Sequence, residues 1–224
     1  GMRQIFPEAW RAFAGFLPEA ERANLLVSYY RRLVDPDPAV HLPAAHAWDR
    51  YEGACSTLLP GNDPASATLL PLVETALQVT LDAGTGYRDR VIVLGAGVLG
   101  LLTGLLLQRS GWRPLIAEPL QWRRAVASSL GVATATPAEL ENEKVPLVID
   151  ASGNPDAPAM ALDMLAHEGT LLVASWFGAK PVVLPLGGAF HRRRLTIRST
   201  QVSTVPARLS GTWSRSRRRQ ETVE

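Results

Sequence analysis

The hydrophobic positions of this chain follow two different rhythms. They change over at Pro60-Gly61-Asn62-Asp63-Pro64, a cluster of turn formers that reads as a linker. Before it there is no strand pattern. Pro7 to Phe16 predicts a helix with proline in its first turn. Pro18-Glu19-Ala20-Glu21 opens a second helix with acids near its positive end. Leu25, Leu26, Tyr29, Tyr30 and Leu33 give that helix one apolar face, and Asp35-Pro36-Asp37-Pro38 stops it. A third runs from about Pro38 to Thr57, kinked at Pro43. Residues 1–62 therefore predict a small all-helical segment.

After the linker, short continuous apolar runs alternate with helical patterns. Pro71 to Leu81 predicts a helix, stopped by Gly84 and Gly86. Val91 to Leu94 reads as a buried strand, and Val98 to Arg109 as a helix apolar nearly all round, covered on more than one side. Pro114 to Ala117 is a second strand, Gln121 to Leu130 a helix ended by Gly131, and Val145 to Ile149 a third strand. Pro158 to Ala166 is a helix, Gly169 turns into strand Thr170 to Ala174, and Leu195 to Ser199 is a last short strand. Such alternation means a parallel sheet with helices on both faces.

Composition changes this picture little. The 224 residues fit one or two domains, and 46% hydrophobic against 20% charged is a globular mix. A net charge of +2 gives the whole chain no strong pull toward nucleic acid or membrane. Arg192 to Arg194 and Arg215 to Arg219 are locally basic. Without an aromatic platform or a nucleic-acid module they read as a solvated edge and an unstructured tail over residues 215–224. Cys55 stands alone, so an internal disulfide and a multi-cysteine zinc site are excluded, and a reducing cytoplasmic setting is expected. No secretory leader is expected, because no basic-then-apolar stretch opens the chain. The apolar run Val91 to Leu107 is broken by four glycines and does not read as a membrane span.

The sharpest motif is Gly95-Ala96-Gly97-Val98-Leu99-Gly100, which leaves an apolar strand and opens a helix. In a G-x-G-x-x-G the first glycine permits the tight turn. The second lets a pyrophosphate reach the backbone, and the third lets helix and strand pack closely. The helix then offers unpaired N–H groups, including those of Val98 and Leu99, and its positive end to the phosphates. The next strand ends at Glu118, where an acid grips the ribose hydroxyls and repels a 2′-phosphate. NAD is therefore expected over NADP. Arg123 and Arg124 follow closely and reverse that preference if either reaches the adenosine ribose. The plainer alternative is a packing turn beside a solvated glutamate. The fold expected for residues 63–214 is α/β, a Rossmann-type doubly wound parallel sheet.

Two further strand ends belong near such a ligand. Ser152 and Gly153 can place backbone groups on the ribose or nicotinamide. Asp150 reads equally well as a group near the ligand or as a helix cap or turn former. Trp176 and Phe177 either flank a nicotinamide ring or simply pack. His41, His46, His167, His191 and Cys55 show no tight ligand spacing, so no zinc site is expected. His46, Asp49 and Glu52 share a helical face near Cys55 and Ser56, but a polar surface face accounts for them.

From about Leu69 to Trp213 the chain resembles the nucleotide-binding domain of medium-chain, zinc-type alcohol dehydrogenases. The resemblance is carried by LPLVETALQVTLDAG, RVIVLGAGVLGLLTGLLL, VIDASG and GTLLVASWFG. LGGAFHRRRLTIRSTQVSTVPARLSGTW resembles one threonine-dehydrogenase-like bacterial branch. The resemblance implies cofactor contacts at Gly95, Gly97, Gly100 and Glu118. It also implies a separate catalytic zinc domain, whose text is not found here. Residues 2–60 instead resemble part of the helical cap of prolyl aminopeptidases, through IFPEAWRAF, LPEAERANLLVSYYRRLVDPDPAV and AAHAWDRYEGACSTLLP. There Glu52, in Tyr51-Glu52-Gly53, matches a glutamate that helps bind a free amino terminus, while no G-x-S-x-G elbow exists. The chain thus reads as a fusion of two fragments. It is expected to bind NAD(H) without efficient turnover. The alternatives are a peptidase-related module or a non-enzymatic interaction domain, with apolar surface that favours a homodimer.

Overall fold

In a computed structural model of the protein, the described residues are 69–223. The helical segment expected over residues 1–62, with His46, Glu52 and Cys55, lies outside them.

Helix α1 (Leu70–Ala83) precedes strand β1 (Arg90–Leu94), and α2 (Val98–Arg109) leads to β2 (Arg113–Ala117). Then come α3 (Gln121–Ser129), β3 (Ala133–Ala135) and β4 (Val145–Asp150). Helix α4 (Ala157–Met164), β5 (Leu165–Val173), β6 (Thr196–Ser199) and α5 (Arg215–Val223) complete the order. The strands form one sheet ordered β3-β2-β1-β4-β5-β6, and every neighbouring pair is parallel. The chain builds outward from β1 through β2 to β3, then crosses back to lay β4 on β1's other side. This reversal is the topological switch point at which open α/β sheets bind ligands.

The apolar strand runs form because both sheet faces are covered. Ile92, Leu94, Val148 and Leu171 belong to one buried cluster with Ala157, Ala161 and Leu162 of α4. On the other face, Gly104 of α2 comes so close that an added Cβ would lie 3.0 Å from Ile116 Cδ1. Every residue from Gly100 to Leu107 is buried, as the all-round apolar pattern of this helix requires. The parallel doubly wound sheet expected from the sequence is therefore present. Among the described residues no helix is long and apolar enough to cross a membrane.

Three local expectations need correction. The helix after β4 stops at Met164, because Leu165 already pairs with Val145 and begins a bulged β5. Arg193 is not simply solvated: its Nη1 donates to the Asp163 and Leu165 carbonyls at 3.1 and 3.0 Å, closing the end of α4. The stretch expected to be an unstructured tail is helical over Arg215–Val223. Buried Arg218 ties it to Glu74 and Gln78 of α1.

The entry to β1 depends on a small residue. Trp112, 7% exposed, donates from its indole N–H to the Gly84 carbonyl at 3.1 Å. Its ring lies where a Cβ on Gly86 would have to be. Gly86→Ala is expected to cost about 1–3 kcal/mol through overpacking. A urea unfolding curve checks this, and an unchanged midpoint would contradict the packing.

Candidate dinucleotide site

Strand β1 ends at Leu94, and the chain turns at once at Gly95, whose φ of +96° only glycine adopts without strain. Space matters there as well. A Cβ at Gly95 would lie 2.8 Å from Ser152 Cα and 3.0 Å from the Ala151 carbonyl oxygen. A Cβ at Gly100 would overlap the Gly95 carbonyl oxygen, so α2 starts hard against the turn. Gly97 differs: among the described residues nothing lies within 4 Å of where its Cβ would be, so that point is open.

Gly97 caps α2 in extended conformation, and no side chain accepts from the first-turn N–H groups. Those donors have no intrahelical partners, so the Val98, Leu99 and Gly100 amides form an anion seat at the positive end of the helix. Helix α4, which also begins at this edge of the sheet, is different. Ahead of α4, side chains accept from the N–H groups of Ser152, Gly153, Asn154 and Asp156. Pro158 has no N–H to offer. Among these two helices only α2 presents donors to a phosphate.

Glu118 is 3% exposed, not the solvated side chain of the plainer alternative. Its Oε2 accepts from the Ala96 N–H at 2.8 Å and its Oε1 from the Leu120 N–H at 3.0 Å. The carboxylate clamps the glycine turn to the end of β2. A carboxylate has about four lone-pair sites, so capacity for ribose hydroxyls remains. Arg123 Nη1 stands 3.8 Å from Glu118 Oε2, and its guanidinium lies 5.0 Å from the Trp122 ring centroid. Its buried Nε has no hydrogen-bond partner. Arg124 Nη1 turns back to the Glu118 and Pro119 carbonyls, both at 2.7 Å. Of the two arginines, Arg123 stands beside the Glu118 carboxylate.

Ser152 and Gly153 sit at the end of β4 as expected, but their N–H groups are committed within the protein. Asp150 Oδ1 accepts from the Ser152 N–H at 3.0 Å, and Ser175 Oγ accepts from the Gly153 N–H at 2.9 Å. These two residues therefore offer carbonyl oxygens, not N–H groups. Asp150 Oδ1, bonded to both the Ser152 N–H and its hydroxyl, makes the bonds of a turn former. Trp176 is 76% exposed, so burial in the core does not explain it. Two elements escaped sequence reasoning: the Ala96 N–H as the partner of Glu118, and Ser175 as the clamp on Gly153. A serine just after a strand end was the only available signal for the second. Among the described residues no group of three or more His, Cys, Asp or Glu is placed to hold a metal ion.

No protein-family model matches the chain. A proline iminopeptidase from Xanthomonas citri is 43% identical over 58 residues, 26% of this chain and 18% of that protein. The L-threonine 3-dehydrogenase of Caldanaerobacter subterraneus is 30% identical over 106 residues, 42% of this chain and 30% of that protein. Among solved structures, an alcohol dehydrogenase from E. coli CFT073 complexed with NADH superposes with a TM-score of 0.56 at 20% identity. The superposition covers 64% of this chain and 46% of that one. A zinc-binding dehydrogenase from Sinorhizobium meliloti 1021 bound to NADP gives 0.59 at 19% identity, covering 74% and 50%. The chain thus spans less than a third of the curated relatives it matches, and half or less of these structures. It resembles zinc-type, medium-chain alcohol dehydrogenases in their nucleotide-binding fold and, over a short stretch, proline iminopeptidases.

Proposed function

We propose that residues 69–223 are the NAD(H)-binding domain of a zinc-type dehydrogenase-like oxidoreductase. The observation that carries this reading is the open point at Gly97 in front of uncapped α2, beside a buried acid at the end of β2. The Val98, Leu99 and Gly100 amides hold the pyrophosphate, and Glu118 takes the adenosine ribose hydroxyls. Ser152 and Gly153 line the other half through their carbonyl oxygens. Bound there, the nicotinamide ring supplies a two-electron hydride donor or acceptor. By itself this part of the chain is proposed to bind the cofactor without efficient turnover. NADH is preferred to NADPH because the Glu118 carboxylate repels a 2′-phosphate. Arg123, close to that carboxylate, narrows the preference.

Gly97→Ala tests the reading cleanly. No atom of the described residues obstructs the added methyl, so thermal stability stays the same, while the methyl fills the phosphate's place. NADH binds the wild type in the micromolar range, and the variant binds about tenfold or more weakly, a loss of about 1.4 kcal/mol. Titration of dihydronicotinamide fluorescence measures it. Equal affinity in both proteins removes the proposal.

The iminopeptidase match supports a second reading, a peptidase-related module. Cleavage of a proline amide would favour it, and none is expected. Exposed Trp176, Val183 and Leu186 support self-association, which light scattering reads directly.

A further inference from the structure

At the end of β4, by the switch point, Asp150 is fully buried and carries a carboxyl oxygen with no hydrogen-bond partner among the described residues. Its Oδ1 accepts from both the Ser152 N–H, at 3.0 Å, and the Ser152 hydroxyl, at 2.6 Å. The Ser152 oxygen in turn accepts from the Asn154 N–H at 3.1 Å. The Asp150 carbonyl accepts from the Ala174 N–H at 2.8 Å, the Ser175 N–H at 2.9 Å and the Ser175 hydroxyl at 3.3 Å. Ser175 Oγ then takes the Gly153 N–H. One residue thus locks the turn after β4 to the end of β5. The same turn abuts Gly95, whose absent Cβ would meet Ser152 Cα.

A buried carboxyl oxygen without a donor costs stability. A turn needs no such group, since an exposed asparagine or serine makes the same local bond. The cost is understandable if the residue serves a ligand. Ser152 and Gly153 are exposed and their N–H groups are taken by Asp150 and Ser175, so their carbonyl oxygens are the backbone groups left for a ligand. That surface accepts hydrogen bonds from ribose hydroxyls or a carboxamide and repels phosphate. The adenosine and pyrophosphate half lies over Glu118 and α2, so this second surface falls to the nicotinamide half.

We propose that Asp150 is a positioning residue for the nicotinamide riboside half of the dinucleotide, acting through Ser152, Gly153 and Ser175. The inference rests on the dinucleotide reading above. NADH and ADP binding to the full chain distinguish the two, because ADP lacks the nicotinamide riboside. Asp150→Ala weakens NADH about tenfold but leaves ADP within about twofold. It also shifts the emission of bound NADH toward that of free NADH. Asp150→Asn restores most NADH affinity, because its Oδ1 still accepts from Ser152. If Asp150→Ala does not fold, Ser175→Ala, which frees the Gly153 N–H, shows the same split. Parallel loss of both ligands, or no loss of either, overturns the proposal. A wild-type chain that binds ADP normally but not NADH overturns it alone. Failure to bind either ligand overturns the dinucleotide reading with it.

Discussion

Alanine at Gly100 is expected to damage both stability and cofactor binding. Its methyl would overlap the Gly95 carbonyl oxygen, a backbone atom held by the turn. Gly95 cannot retreat, because its N–H is bonded to the Ala117 carbonyl at 2.8 Å and Ser152 lies behind it. Helix α2 must therefore move away from β1, and every residue from Gly100 to Leu107 is packed. Overpacking of this kind costs about 3 kcal/mol. For a unit of this size that lowers Tm by about 6–12 °C. The displaced amides no longer converge on one phosphate, so NADH affinity falls by more than about tenfold. Thermal melts and fluorescence titration read the two effects separately. Gly97→Ala, which loses binding alone, is the control. A Gly100→Ala protein with unchanged Tm would mean that helix and turn are not in contact.

Arg218→Ala is expected to cost the most stability. The guanidinium is buried and donates through Nη2 to Glu74 Oε1 at 2.9 Å and through Nε to the same oxygen at 3.2 Å. Gln78 and the Val202 and Thr204 carbonyls take its other donors. Removing it leaves the largely buried Glu74 with only the more distant Arg219, at 3.7 Å, and leaves two carbonyls without this donor. Breaking such a pair from one side costs about 3–5 kcal/mol. Tm should fall by about 6–20 °C. Adding Glu74→Gln removes the remaining charge and recovers about 1–3 kcal/mol in a double-mutant cycle. Loss of less than about 0.5 kcal/mol in the single variant, the size of an ordinary surface change, would show that α5 is not anchored through this residue.

Much of the fold was readable because parallel strands and their covering helices leave strong apolar signatures. Val91 to Leu94 and Val145 to Ile149 run apolar without a break, and Val98 to Arg109 begins and ends where its pattern says. The glycine turn was readable too, since its spacing reflects local steric demands of a single corner. Strand β3 was not. Ala133–Ala135 has three short residues at the sheet edge, and it exists only because it pairs with β2. Helix α5 was misjudged for a related reason. Its residues are nearly all polar, so nothing in their periodicity shows an apolar face, and its order comes from Arg218 reaching Glu74 across 144 positions of chain.

The site divides in the same way. Local sequence alone marked the turn at Gly95, the small residue at Gly97 and the acid at Glu118, because each shows in residue type and in its spacing from a strand end. Tertiary structure alone decided that Glu118 clamps Ala96, that Arg123 stands beside it and Arg124 does not, and that Ser152 and Gly153 turn their N–H groups inward. Those facts depend on which strand end lies next to which. A chain's hydrophobic pattern records what must be buried, but not which polar atoms the burial will bring face to face.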